Sequence, residues 1–169
     1  MLKEITELLL AIAAALKIKE EIEKWRNRLK IENVTVKYYG QELIQEWNTQ
    51  AHVYELLFTI ANASAKKAEN VMYNITLEWP SLGDESGEIN TSIYNSPTFN
   101  LITKATFAPL IIKTDLKSYM IITNKYIQAV TPFSKKVAIT IRVTSSTHRG
   151  ATYTKPLIDI LKKHEYMSS

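Results

Sequence analysis

Val53-Tyr54-Glu55-Leu56-Leu57-Phe58-Thr59-Ile60, followed after a short polar break by Val71-Met72-Tyr73-Asn74-Ile75-Thr76-Leu77-Glu78-Trp79, decides how this chain folds. Tyr54, Leu56, Phe58 and Ile60 alternate with Val53, Glu55, Leu57 and Thr59, the period-2 pattern of a strand. The second stretch sets Val71, Tyr73, Ile75, Leu77 and Trp79 on one face and Met72, Asn74, Thr76 and Glu78 on the other. Pro80 ends it, because proline has no N–H to give to a ladder. Ala61-Asn62-Ala63-Ser64-Ala65 and Lys66-Lys67 join the two as a loop of small and polar residues. Two strands, each apolar on one face, need a covering layer, and the remainder of the chain offers further strands rather than alternating helices.

Those further strands are expected at Val34 to Tyr38, Thr98 to Thr103, Leu110 to Lys113, Tyr119 to Thr123, Tyr126 to Val130, Lys136 to Thr144 and Ala151 to Thr154. Gly40 marks a turn, and Pro97, Pro109 and Pro132 punctuate the series. In the clearest of them Val137, Ile139, Ile141 and Val143 face inward. Gln41 to Thr49, with Leu43, Ile44 and Trp47, fits either a short helix or an irregular edge. Ser145 to Gly150 is a polar turn. Pro156 suits the first turn of a short helix with Leu157, Ile160, Leu161 and His164 on one face. Seven to nine turn-separated strands match an immunoglobulin-like antiparallel β-sandwich. The fold class is therefore mainly β, with a long helix before the sandwich and a short one after it.

Leu2 to Ile31 reads as that long helix, free of glycine and proline. Leu8, Ala11, Ala15, Ile18, Ile22, Trp25 and Leu29 recur at spacings of three and four and form a seam. The chain thus divides into a helical segment, 1–31, and a sandwich domain, 32–169. A helix of that length reaches roughly 45 Å, more than one sandwich covers, so part of it must project and meet something else. The apolar run Leu8 to Leu16 is shorter than the ~20 residues that span a bilayer. Lys17 and Lys19 interrupt it, and the basic residues that follow oppose the orientation an exported sandwich would require. A signal-peptide reading, with Ala11-Ile12-Ala13 as the cleavage site, meets the same objection. Packing against other helices in an oligomer or filament is the expectation, and folding back along the sandwich is the bland alternative.

Chemistry is sparse. The chain has 169 residues, a net charge of +4 and no cysteine, so disulfides and thiolate metal sites are excluded. Its lysines are dispersed, which argues against nucleic acid as a partner. Lys24-Trp25-Arg26-Asn27-Arg28 interleaves basic and aromatic residues, but on a helix the two kinds turn to different faces. His52, His148 and His164 are scattered, and no pair has metal-ligand spacing. Ser146-Thr147-His148 sets hydroxyls beside a base, yet neighbours in sequence are not a triad. Asp84, Glu85 and Glu88 form an acidic loop without the spacing of a calcium site. Neither a G-x-G-x-x-G nor a Walker pattern occurs. The reading is a non-enzymatic protein with no cofactor, no catalytic residue and no metal.

Four glycosylation sequons stand above background: Asn33-Val34-Thr35, Asn62-Ala63-Ser64, Asn74-Ile75-Thr76 and Asn90-Thr91-Ser92. Asn62 and Asn90 fall in expected loops, Asn74 on the outward face of its strand, and Asn33 at the junction of helix and sandwich. They point to an extracellular or cell-surface location.

The apolar stretch Ile5-Thr6-Glu7-Leu8-Leu9-Leu10-Ala11-Ile12-Ala13-Ala14-Ala15, followed by a sandwich beginning near Asn33, resembles archaeal surface-appendage proteins. These include pilin-like subunits and accessory proteins of the archaellum, in which an N-terminal apolar helix precedes an immunoglobulin-like domain. The wealth of Ile, Lys, Asn, Thr and Tyr is similar to that of proteins from thermophilic crenarchaea and their viruses. The resemblance implies a structural or adhesion module of a cell-surface filament, self-associating through its helix. A structural protein of an archaeal virus particle is the alternative. A glycan- or small-molecule-binding sandwich, with a pocket lined by Trp47, Trp79 and tyrosines, is a reading from a different class.

Overall fold

The structure is a computed structural model that describes residues 2–44, 49–80, 88–114, 119–122, 127–130 and 138–165. Helix α1 (Leu2–Arg26) comes first. Among the described residues ten strands follow: β1 (Leu29–Ile44), β2 (Thr49–Asn62), β3 (Ala68–Pro80), β4 (Glu88–Asn95), β5 (Phe99–Leu101), β6 (Lys104–Thr114), β7 (Tyr119–Ile122), β8 (Ile127–Val130), β9 (Ala138–Thr144) and β10 (Ala151–Pro156). Helix α2 (Leu157–Glu165) closes the series.

The strands form two antiparallel sheets, one in the order β1-β2-β6-β7-β8 and the other β10-β9-β3-β4, with β5 also on β3. Strands β1, β2 and β6 facing β10, β9, β3 and β4 make the frame of an immunoglobulin-like sandwich. The hairpin β7–β8 widens the first sheet beyond that frame. The core lies between the sheets. Leu56, Phe58, Ile60, Leu110 and Ile112 come from one side, and Val71, Ile75, Leu77, Ile139 and Ile141 from the other, all essentially without exposure. Tyr73 sits at its centre, edge-on to Phe58 with ring centroids 5.1 Å apart and stacked on Tyr94 at 5.5 Å. Its burial, together with a hydrogen bond to Tyr94, pushes its phenol well above the usual range. Helix α2 buries Leu157, Ile160 and Leu161 and packs on β1 and β10, covering the side where the edges of the two sheets meet.

Three expectations need correction and one alternative is decided. The first helix ends at Arg26, not Ile31, and Leu29 is a buried strand residue rather than the last member of the seam. Leu29 and Ile31 alternate with Lys30 as a strand does, but a bulge between Glu32 and Thr35 then shifts the phase to Val34 and Val36. Asn33 adopts φ 52° there, and the broken phase makes β1 illegible as one strand. Gly40 is a second bulge in β1 rather than a turn, and its φ of 112° is costly for residues with a side chain. Pro109 does not end a strand either. β6 runs through it because a register shift between Leu56 and Phe58 of β2 leaves extra residues opposite. Of the two alternatives for Gln41 to Thr49, the irregular edge holds as far as Ile44, where β1 runs along the edge of its sheet. Trp47, Asp84, Glu85 and Pro132 lie outside the described residues.

Candidate interaction surface

Beyond its base, helix α1 packs along none of the described strands, so it does not fold back along the sandwich. Every position from Ile5 to Arg26 is exposed. That includes the predicted seam, with Leu8, Ile18, Ile22 and Trp25 between 52% and 62% exposed and Ala11 and Ala15 among them. The helix has two halves. From Ile5 to Leu16 apolar side chains point in all directions, and Leu9, Leu10 and Leu16 lie off the seam. From Lys17 to Arg26 only Ile18, Ile22 and Trp25 are apolar, a narrow stripe among charges. Among the described residues no helix is long and apolar enough to cross a membrane.

The base of α1 is tied to one pole of the sandwich. Arg149 donates its backbone N–H to Asn27 and accepts one from Leu29, both at 2.9 Å. Its guanidinium covers the Trp25 ring at 3.7 Å. Lys66 meets Glu23 at 3.2 Å, an exposed pair of small energetic weight. Between helix and pole lies an open cleft of about 470 Å³, lined by Glu20, Glu23, Lys66, Glu69, Thr147 and His148 among others.

The pole itself holds a hydrogen-bond network that sequence reasoning missed. It joins the β2–β3 loop, the β5–β6 turn and the β9–β10 loop. Asn62 Nδ2 donates to the carbonyls of Lys66, Leu101 and Ile102 at 2.7, 3.3 and 3.0 Å. Asn62 Oδ1 accepts from the backbone N–H and hydroxyl of Ser64, each at 3.0 Å. His148, 3% exposed, is placed between Ser64 Oγ on Nε2 at 2.8 Å and Thr147 Oγ1 on Nδ1 at 2.9 Å. Thr147 Oγ1 in turn accepts the N–H of Glu69 at 3.0 Å. A neutral imidazole protonated on Nε2 satisfies this chain atom by atom. Burial, with the nearby Lys66 charge adding to it, holds the His148 pKa below its usual value, although a backbone hydrogen bond at Lys66 pulls the other way. Ser64 beside His148 has the outline of a nucleophile and base, but Nδ1 faces a threonine where a triad has a carboxylate. The arrangement locks loops together. The signal available in the sequence was the hydroxyl-rich run Ser145-Ser146-Thr147 beside His148, whose partners come from residues roughly eighty positions away.

The sequons differ in what surrounds them. Asn33 is exposed on its bulge. The amide of Asn62 is the hub just described, at the end of β2 rather than free in a loop. Asn74 Nδ2 donates to Ser92 Oγ and Asn95 Oδ1, both at 2.6 Å, across the β3–β4 hairpin. Asn90 pairs with Glu78 in β4 instead of lying in a loop. Among the described residues no three His, Cys, Asp or Glu gather as a metal site needs. His52 instead joins an exposed aromatic group, its Nδ1 3.0 Å from Tyr38 Oη.

No family model matches the chain, and no curated protein matches it. A solved structure, the X-ray structure of Northeast Structural Genomics Consortium target SoR45, aligns over 78% of this chain and 83% of its own. The identity is 12% and the TM-score 0.34, a likeness too slight to bear on fold or function.

Proposed function

We propose that this chain is a structural module of a cell-surface appendage or filament that associates with copies of itself through α1. One observation carries the reading: large apolar residues along α1, from Ile5 to Trp25, are each 48–64% exposed, although the same chain buries its sandwich core almost completely. An exposed apolar stripe of this length favours association, at about 25 cal/mol for each Å² removed from water. The surface location draws support from the layout of helix and sandwich and from the open position of the Asn33 sequon.

Sedimentation velocity of the full chain tests the association. The wild type is expected to sediment as oligomers, and a Leu8→Lys/Ile22→Lys double variant as a folded monomer. A monomeric wild type at micromolar concentration would overturn the reading. Intact mass of the natively produced protein tests the location, through glycan increments that an Asn33→Gln variant lacks.

A further inference from the structure

We infer that the helices associate parallel and in register, with each α1 touching more than one neighbour; the inference rests on self-association through α1. Leu8, Ala11, Ala15, Ile18, Ile22 and Trp25 follow spacings of three, four, three, four and three, the seam of a left-handed helical bundle. Charges flank that seam asymmetrically. Glu21 precedes Ile22 on one side, and Arg26 follows Trp25 on the other. In a parallel pair the residue just before one seam position faces the residue five further along in the neighbour, so Glu21 meets Arg26. An antiparallel pair sets Leu8 against Trp25 and Glu21 level with Ile12, so Glu21 loses its Arg26 partner.

The two halves of the helix lead to the same orientation. Antiparallel packing lays the apolar half, Ile5 to Leu16, beside the charged half, Lys17 to Arg26. In a bundle of more than two such helices, Leu9, Leu10 and Leu16 then lie level with Lys24, Glu23 and Lys17 of their neighbours. Parallel packing gathers apolar halves with apolar halves and leaves those charges on the outside, where all are exposed. A two-helix pair hides one stripe only. Leu9, Leu10 and Leu16, 61%, 64% and 58% exposed, lie off that stripe and need contacts from additional copies. The stem, apolar only along the seam, needs none.

The natural absence of cysteine makes the test clean. Single Leu8→Cys and Ile22→Cys chains, oxidised mildly at a concentration where sedimentation shows oligomers, are each expected to give covalent dimers in high yield. Equal-register neighbours bring the two sulfurs within disulfide reach. A mixture of Leu8→Cys with Trp25→Cys chains is expected to give few cross-linked hetero-dimers. Oligomers that cross-link only in that mixture, or in neither single variant, overturn the parallel register and leave self-association standing. Oligomers no larger than dimers overturn the requirement for several neighbours. Monomers throughout overturn self-association itself.

Discussion

Leu8 and Ile139 have side chains of nearly the same volume, and the fold treats them oppositely. Ile139 has no exposure between two sheets, whereas Leu8 keeps 62% of its surface on a helix that packs along neither sheet. The sandwich completes itself: its strands pair, its core closes, and α2 covers the side where the sheet edges meet. The helix is incomplete in the single chain. On the proposed reading, one part serves the chain's own stability and the other serves a second copy of the chain.

Breaking the closed part gives the largest effect. Ile139→Ala leaves a cavity in the centre of β9 and is expected to cost about 2–5 kcal/mol in chemical denaturation, without changing sedimentation at low denaturant. Gly150→Ala comes next. A methyl group there would sit 2.1 Å from the backbone carbonyl oxygen of Val143, so the β9–β10 loop must shift, at an expected cost of about 1–3 kcal/mol in thermal unfolding. Asn62→Ala removes the hub of the pole and strands the carbonyls it served, with a similar or smaller loss of about 1–3 kcal/mol.

A subtler effect is set by pH. His148 is held neutral when folded, with its pKa below the ordinary 6.5. Well above 6.5 both folded and unfolded chains carry a neutral imidazole, and stability does not depend on the pH through this group. As pH falls below 6.5 the unfolded chain takes up a proton that the folded chain refuses, so stability declines until the folded pKa is passed. Denaturation midpoints measured from pH 7.5 down to 5 should show that decline, and a His148→Asn variant should lose this component of the slope. The smallest expected change in stability belongs to the open part. Ile22→Lys, measured at dilutions where the chain is monomeric, should remain within about 0.5 kcal/mol of wild type. A larger loss would mean that Ile22 is packed within the single chain.

Much of the closed part was legible because burial and period coincide. Phe58, Ile60, Tyr73, Ile75, Ile139 and Ile141 are inward in the alternation and buried in the structure. Legibility failed where the backbone slipped by one residue. The bulge at Asn33 reverses the phase of β1, so Leu29 to Tyr38 does not alternate as one unit and its start reads as helix. Pro109 misled for the same reason, since a register shift removed the need for a break. The network around His148 was hidden by distance, because Ser64 and Asn62 reach it only when the β2–β3 and β9–β10 loops meet at one pole. The exposed face of α1 was read from its spacing, yet Leu29 had to be taken from it.

The joint between α1 and β1 has a mechanical consequence. Between Arg26 and Leu29 lie only Asn27 and Arg28, and both ends of this joint are fastened to Arg149. Tension applied along the helix therefore enters β1 at its first residue. β1 is paired with β2 from Leu29↔Asn62 to Ile44↔Thr49, so a pull along the strand axis loads many of those hydrogen bonds together instead of opening them one after another. The sandwich would bear traction from a bundle of helices in shear, the direction in which a long antiparallel pair yields least.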